Sequence, residues 1–403
     1  MKYDFESILD RHGMDALAVD ELRTDGSGYL PEPTVPGFDP IPMWVADMNF
    51  PTAPCITDAI IARASHPAFG YFITSEAYYN AIISWQTRRN GVKGLEKKHI
   101  GYENGVLGCV VSAVNALSAP GESILVHSPT YIGFIHAVED TGRKLCYSPL
   151  KQDENGVWRM DYEDMARQCR EKKIHLAILC NPHNPCGRVW SREELEKAME
   201  VFRENGVFVI SDEIWSDLTL VGHSHIPTQS VSPDARERTV AIYAPSKTFN
   251  LAGLIGSYHI IYNDYLRDRV TSVGDRTHYN AINVLSMHAL TAAYSPEGEE
   301  WLEELKAVLS GNVNWAVDFI RENFRGVSLF RPEGTYMLFL DCGEYCEKTE
   351  RSIEEVLKAG WRYGVAWQDG RAFLGPRSIR MNLALPKKRV EEAFARLKEY
   401  VFV

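Results

Sequence analysis

The chain has 403 residues, 45% of them hydrophobic and 24% charged, with a formal net charge of −11, an ordinary composition for a globular protein. The length suits one large domain and one smaller one. The acidic balance excludes nucleic acid or an anionic membrane surface as the expected partner, and no apolar run approaches the length of a membrane span.

In chain order, the opening Met1-Lys2-Tyr3-Asp4-Phe5-Glu6 is mixed and acidic rather than basic and then apolar. A cytoplasmic chain without a secretory leader is therefore expected. Residues 1–50 carry Pro31, Pro33, Pro36, Gly37, Pro40 and Pro42 and read as an extended arm that contributes to a small domain. Residues 51–292 alternate between two periodicities. Short apolar runs at 123–127, 176–180, 207–210, 239–243 and 257–261 are predicted strands. One helix is predicted over 105–119. Another follows the capping box Ser191-Arg192-Glu193-Glu194, with Leu195, Ala198, Met199 and Phe202 as its apolar stripe. Such alternation implies the α/β class, a mostly parallel sheet between helices. Residues 293–403 break the rhythm. They hold a long amphipathic stretch at 297–324, runs at 327–330 and 336–341, a helix around 352–363, a strand near 379–383 and a final helix after Lys387. These read as a smaller α+β domain, formed together with the N-terminal arm.

The eight cysteines, Cys55, Cys109, Cys146, Cys169, Cys180, Cys186, Cys342 and Cys346, are scattered without a Cys-x-x-Cys. They read as reduced structural thiols. His223-Ser224-His225 has ligand-type side chains but no third ligand nearby in sequence, so no metal is expected.

Chemistry gathers at the ends of the predicted strands, where open α/β sheets collect functional groups. Ala244-Pro245-Ser246-Lys247-Thr248-Phe249-Asn250 follows the 239–243 run, and Ser211-Asp212-Glu213 follows the 207–210 run. Two strand ends thus present an amine and a carboxylate. Pyridoxal phosphate (PLP) needs this pair: a lysine for the Schiff base, and an acid that keeps the pyridine nitrogen protonated so that the ring withdraws electrons. One Ser-Lys pair alone also fits a solvated surface lysine, so the neighbours decide. Asn181-Pro182-His183-Asn184-Pro185-Cys186-Gly187 follows the 176–180 run. Either Asn-Pro alone makes a rigid turn; together with Lys247 and Asp212, Asn184 suits a hydrogen bond to the cofactor's phenolic oxygen. Gly105-Val106-Leu107-Gly108 opens a predicted helix whose first N–H groups suit a phosphate. Tyr131, in Ser128-Pro129-Thr130-Tyr131, is either a core tyrosine or an aromatic that stacks on the pyridine ring. Arg380, in Ile379-Arg380-Met381-Asn382-Leu383, is either an edge-strand surface arginine or a bidentate grip for an α-carboxylate.

Together these segments resemble the fold type I PLP enzymes of the aspartate aminotransferase superfamily. Within it they resemble the cystathionine β-lyases and cysteine C–S lyases of the MalY/PatB family. The likeness covers nearly the whole chain. It runs through Ile41-Pro42-Met43-Trp44-Val45-Ala46-Asp47-Met48, Phe69-Gly70-Tyr71, residues 181–190, Ser211-Asp212-Glu213-Ile214, residues 244–254, Pro332-Glu333-Gly334-Thr335-Tyr336 and residues 380–386.

The resemblance implies a PLP-dependent transferase-like large domain. It gives Lys247 the Schiff base, Asp212 the ring nitrogen, Asn184 the phenolic oxygen and Tyr131 the ring face. Val106, Leu107 and Ser246 approach the phosphate. Arg380 binds the substrate carboxylate, and Trp44, Ala46, Tyr71 and Tyr336 border the rest of the substrate. Lys247, Tyr131 and Tyr71 form the implied catalytic set. Tyr71 reaches into a neighbouring subunit's site, which implies a homodimer with shared sites. Two positions depart from the pattern. Trp215 stands where the superfamily commonly has tyrosine and this branch often histidine; an indole only donates, so it either bonds the phenolic oxygen or packs. Ile255 stands where many aminotransferases carry an arginine for the phosphate. The implied reaction eliminates a thiol from cystathionine, cysteine or a related S-amino acid, leaving pyruvate and ammonia. The alternatives are a class I/II aminotransferase and a PLP-binding regulator without turnover. The presence of Lys247, Asp212 and Arg380 together disfavours the regulator.

Overall fold

Parallel strands covered on both faces have no solvent side, so their sequences read as unbroken apolar runs. The computed structural model, which describes residues 1–278 and 280–403, has a seven-stranded sheet of this kind. Its strands are β1 (Ile100–Glu103), β2 (Ser123–Ser128), β3 (Lys144–Pro149), β4 (Leu176–Cys180), β5 (Phe208–Asp212), β6 (Thr239–Tyr243) and β7 (Ser257–Ile260). Their spatial order is β1-β7-β6-β5-β4-β2-β3. Every residue of β4 and β6 is buried. Strands β6, β5, β4, β2 and β3 are mutually parallel, and β7 runs antiparallel to both its neighbours. The α/β expectation holds.

The chain winds outward from β2 to β3, returns to β4 on the other side of β2, and continues through β5 to β6. The winding direction therefore reverses between β2 and β4. Open sheets bind ligands beside such a reversal, at the carboxyl ends of the strands.

Helices α1 (Val106–Leu117) and α2 (Ile132–Glu139) pack on this sheet. Val110, Ala113 and Val114 of α1 and Phe134 of α2 share one core with Val126, Ile178, Ile210, Val240 and Ile242. Each such aliphatic or aromatic burial is worth roughly 1.5–3 kcal/mol relative to exposure. Helix α3 (Arg192–Glu204) starts on the predicted capping box. Glu194 N–H donates to Ser191 Oγ (3.2 Å), and Ser191 N–H donates to Glu194 Oε2 (2.9 Å). Its stripe of Leu195, Ala198, Met199 and Phe202 is buried.

The chain divides into two compact units. Thr52–Asn184 with Arg188–Glu303 holds the seven-stranded sheet; Met1–Pro51, Pro185–Gly187 and Glu304–Val403 form the second unit. The boundary at Glu304 falls within the long helix α4 (Pro296–Asn323). In the second unit, β8 (Met337–Asp341), β9 (Gln368–Asp369) and β10 (Ser378–Asn382) form an antiparallel sheet with β10 central. Ile41–Pro42 pairs parallel with Val365–Ala366 and ties the N-terminal arm into that unit. Asn312 of α4 donates from Nδ2 to Leu383 O (3.0 Å) and Leu385 O (2.8 Å). The 327–330 run makes only a single bridge, Ser328 to Asp341. Arg331 and Pro332 follow it, and proline cannot donate to a ladder. Among the described residues, no helix is long and apolar enough to cross a membrane, and no disulfide joins the cysteines.

Candidate active site

The carboxyl ends of β4, β5 and β6 deliver the polar residues of the first unit. Asp212 closes β5 and is 3% exposed. Its Oδ1 accepts the Ile214 N–H (3.0 Å). Burial pushes the carboxyl up to about 7; the Ile214 hydrogen bond pulls it down, the neighbouring Glu213 adds to the rise, and the Lys247 charge opposes it. The Lys247 charge is thus felt at the Asp212 carboxyl.

Lys247 lies on a single helical turn, Pro245–Thr248, directly after β6, and is half-buried, as is Ser246. The next residue, Thr248, is buried and donates from Oγ1 to Asp217 Oδ2 (3.1 Å). Phe249 stacks on Trp301 with ring centroids 5.6 Å apart. The lysine therefore stands on a rigid turn. Asn184 is 4% exposed, in a loop closed by His183 N–H donating to Arg188 O (2.7 Å).

At the start of α1 the cap is Gly105, with φ +82° and no side-chain acceptor. Such a cap leaves the first N–H groups open to an external anion. Val106 and Leu107 supply two of them. A β-carbon on Gly105 would lie 3.9 Å from Ile255 Cγ2, so Ile255 borders this turn. It is 52% exposed at φ +43°, an unusual backbone for a β-branched residue. An alkyl group thus occupies the place beside the α1 cap.

Tyr131 caps α2, is half-buried, and meets Phe134 edge-on at 5.5 Å and 89°. A β-carbon on Gly133 would lie 2.4 Å from Tyr131 Cε1 and 2.9 Å from Leu107 Cδ1. The ring and the leucine converge over a position where a β-carbon would force them to shift, and nothing in the sequence marks it. Trp215 is buried at 2% exposure. Tyr71 is fully exposed, and Phe69 and Ile73 beside it are 57% and 87% exposed.

The second unit holds the remaining residues. Arg380 on β10 is 3% exposed, which removes the surface-arginine alternative. Its Nε and Nη2 donate to Gln368 Oε1 (3.1 and 2.5 Å), Nη2 also reaches Trp44 O (3.4 Å), and the guanidinium lies 4.2 Å from the Phe373 ring centroid. Asn382 Nδ2 donates to Val45 O (2.8 Å) and Asp47 O (2.6 Å), fixing the segment that carries Trp44 and Ala46. Trp44 stacks on Tyr29 at 3.9 Å and donates its indole N–H to Ala18 O (3.0 Å). Tyr336 is buried; burial pushes its phenol well up, Asp47 adds to the rise and Arg380 opposes it. Gln368 was not singled out from the sequence.

Asp212 and the α1 terminus of the first unit fit PLP on an observation of the protein itself. A carboxyl buried at a strand end and balanced near neutrality accepts a pyridinium as the opposite charge its surroundings supply only in part. The open α1 terminus suits the phosphate.

A family model described as aminotransferase class I and II matches residues 41–397. Cystathionine beta-lyase PatB of Bacillus subtilis is 35% identical over 391 residues, covering 95% of this chain and 97% of that protein. Protein MalY of Escherichia coli is 29% identical over 404 residues, 98% of each chain. The solved PLP-bound C–S lyase from Staphylococcus hominis superposes with a TM-score of 0.89 at 30% identity, covering 100% of this chain and 99% of the other.

Proposed function

Because this chain belongs to the aminotransferase class I and II family, we propose that it is a PLP-dependent C–S β-lyase. It eliminates a thiol from cystathionine, cysteine or a related S-amino acid and leaves pyruvate and ammonia. The observation that carries this reading is the buried Asp212 carboxyl under the influence of the Lys247 charge.

When bound, PLP supplies an electron sink for the negative charge that develops at the substrate's Cα. Asp212 holds the proton on the ring nitrogen. Asn184 would donate to the phenolic oxygen, Tyr131 would cover the ring face, and the N–H groups of Val106 and Leu107 with Ser246 would hold the phosphate. Trp215, three residues beyond Asp212, either turns its indole N–H to the phenolic oxygen or packs. Arg380, its fork held by Gln368, grips the substrate carboxylate. Trp44, Ala46 and Tyr336 border the substrate. Lys247 Nζ, which would tether the cofactor at rest, takes the Cα proton as general base, and Lys247 or a site tyrosine, Tyr131 or Tyr71, gives a proton to the departing sulfur.

Tyr71 serves the neighbouring subunit's site in a homodimer, and the exposed Phe69 and Ile73 beside it support that reading. The enzyme works in the cytoplasm. The family model itself keeps an aminotransferase as the second reading, since both reactions begin with loss of the Cα proton. Purified protein with PLP and cystathionine should release pyruvate without an added keto acid. Product that appears only when a keto acid is supplied would establish the aminotransferase instead.

A further inference from the structure

Next to Asp212 lies a buried charged cluster that the proposed chemistry does not use. Glu213 has no exposed surface. Its Oε1 accepts the Thr228 N–H (3.0 Å) and Ser211 Oγ (2.9 Å). Its Oε2 accepts the Tyr243 hydroxyl (2.6 Å) and meets His225 Nε2 at 2.7 Å. The His225 side chain is 2% exposed, and its Nδ1 has no hydrogen-bond partner among the described residues. A second buried carboxylate, Asp217, lies within electrostatic reach of His225. Asp217 accepts Trp85 Nε1–H (3.0 Å) and Thr248 Oγ1–H (3.1 Å), with Arg89 Nε 3.6 Å away.

Chain adjacency ties this cluster to the site twice. Glu213 follows Asp212, and Thr248 follows Lys247. Anchoring each second residue fixes the backbone that aims the first. Charge matters as well as position. A second anion beside Asp212 resists its ionisation, and an imidazole hydrogen-bonded to that anion offsets part of the resistance. The other groups facing the cluster are Tyr243, Tyr258, Tyr294 and Arg89, with Cys109 and Lys247 acting on Asp212. Burial pushes the three phenols and the thiol far up, so they stay protonated and uncharged.

We propose that His225 is a positioning residue: as the hydrogen-bond partner of Glu213, it holds Asp212 in the anionic form that keeps the cofactor's ring nitrogen protonated. The proposal rests on the PLP reading above and assigns His225 a carboxylate partner in place of a metal.

The test loads wild type, H225Q, E213Q and the double variant with PLP and measures the pH midpoint of the bound cofactor's absorbance change. Thermal melting checks folding. Removing the imidazole in H225Q should raise the midpoint by about one unit, because Asp212 then keeps its proton and the ring withdraws less charge. Removing the anion in E213Q should lower it, and the double variant should return toward wild type. Shifts of one sign in both single variants, or no shift, overturn the proposal, since loss of shape alone moves both the same way. Should H225Q fail to fold, E213Q decides, and an absent or upward shift sinks the idea. Wild-type protein that takes up no PLP would refute the functional reading, whereas PLP-loaded variants with unmoved midpoints refute only the role of His225.

Discussion

Gln368 Oε1 accepts both Nε and Nη2 of Arg380, at 3.1 and 2.5 Å. The two residues sit opposite each other in the β9–β10 register, so a neutral amide holds the planar fork without neutralising it. A carboxylate in the same place would compete with the substrate for the guanidinium. Gln368→Ala should therefore raise KM for the amino acid substrate about tenfold or more with little change in kcat, since a hydrogen bond to a charged group is worth roughly 1.5–3 kcal/mol. Steady-state kinetics check this, and an unchanged KM would remove Gln368 from carboxylate binding.

Lys247 is assigned two tasks, tether and base. Lys247→Ala should keep some PLP through Asp212, Asn184 and the α1 terminus, yet lose elimination by several orders of magnitude. Borohydride should then leave no covalent label at position 247. Pyruvate release near the wild-type rate would show that another group takes the proton.

Gly133 should be intolerant of any side chain. The β-carbon of Gly133→Ala would meet Tyr131 Cε1 at 2.4 Å and Leu107 at 2.9 Å, so the ring must leave its place at the end of α2. Overpacking of this kind costs typically 1–3 kcal/mol. PLP affinity should fall roughly tenfold along with it, as read by fluorescence titration. Undiminished PLP affinity would show that Tyr131 does not cover the cofactor.

The pH dependence follows from Asp212. Its carboxyl is raised to about 7 in the folded protein without cofactor, against about 4 in an unfolded chain. Between those values the folded state binds more protons than the unfolded one, so stability falls as pH rises. The contribution is fully present below about pH 4 and lost once pH passes 7, at most on the order of 4 kcal/mol. A pyridinium opposite the carboxylate offsets that loss. PLP should therefore raise Tm more at pH 8 than at pH 5. Equal gains at both values would place the ring nitrogen away from Asp212.

Much of this architecture was legible because burial on both faces writes itself as an apolar run. β4 and β6 match the predicted spans, and β5 is offset by one or two residues. The strands not predicted are the sheet's edges. β1 contains Gly101 and the buried Glu103, and β3 opens on the exposed Lys144 and closes on Pro149. Neither leaves an unbroken apolar signature. In the site, Lys247 and Asp212 stand out as polar residues that end apolar runs. Gln368 does not, because its meeting with Arg380 depends on the register of a two-residue strand. Gly133 is silent until Tyr131 and Leu107 converge on it. His225 gives no sign of its contact in the sequence, because its partner, Glu213, lies 12 residues earlier.

Tyr71 offers the sharpest test of assembly. Tyr71, fully exposed between the exposed Phe69 and Ile73, turns its ring away from its own core. If each site combines one subunit's Lys247 with the other's Tyr71, then K247A and Y71F damage different halves of a shared site. Homodimers of each should be weak or inactive. Mixing the two under conditions that allow subunit exchange makes heterodimers in which one site receives both defects and the other receives neither. Random pairing should then restore activity to about a quarter of the wild-type level per subunit. Sedimentation should report a dimer throughout. A mixture no more active than the sum of its parts, from subunits shown to exchange, would return Tyr71 to its own subunit.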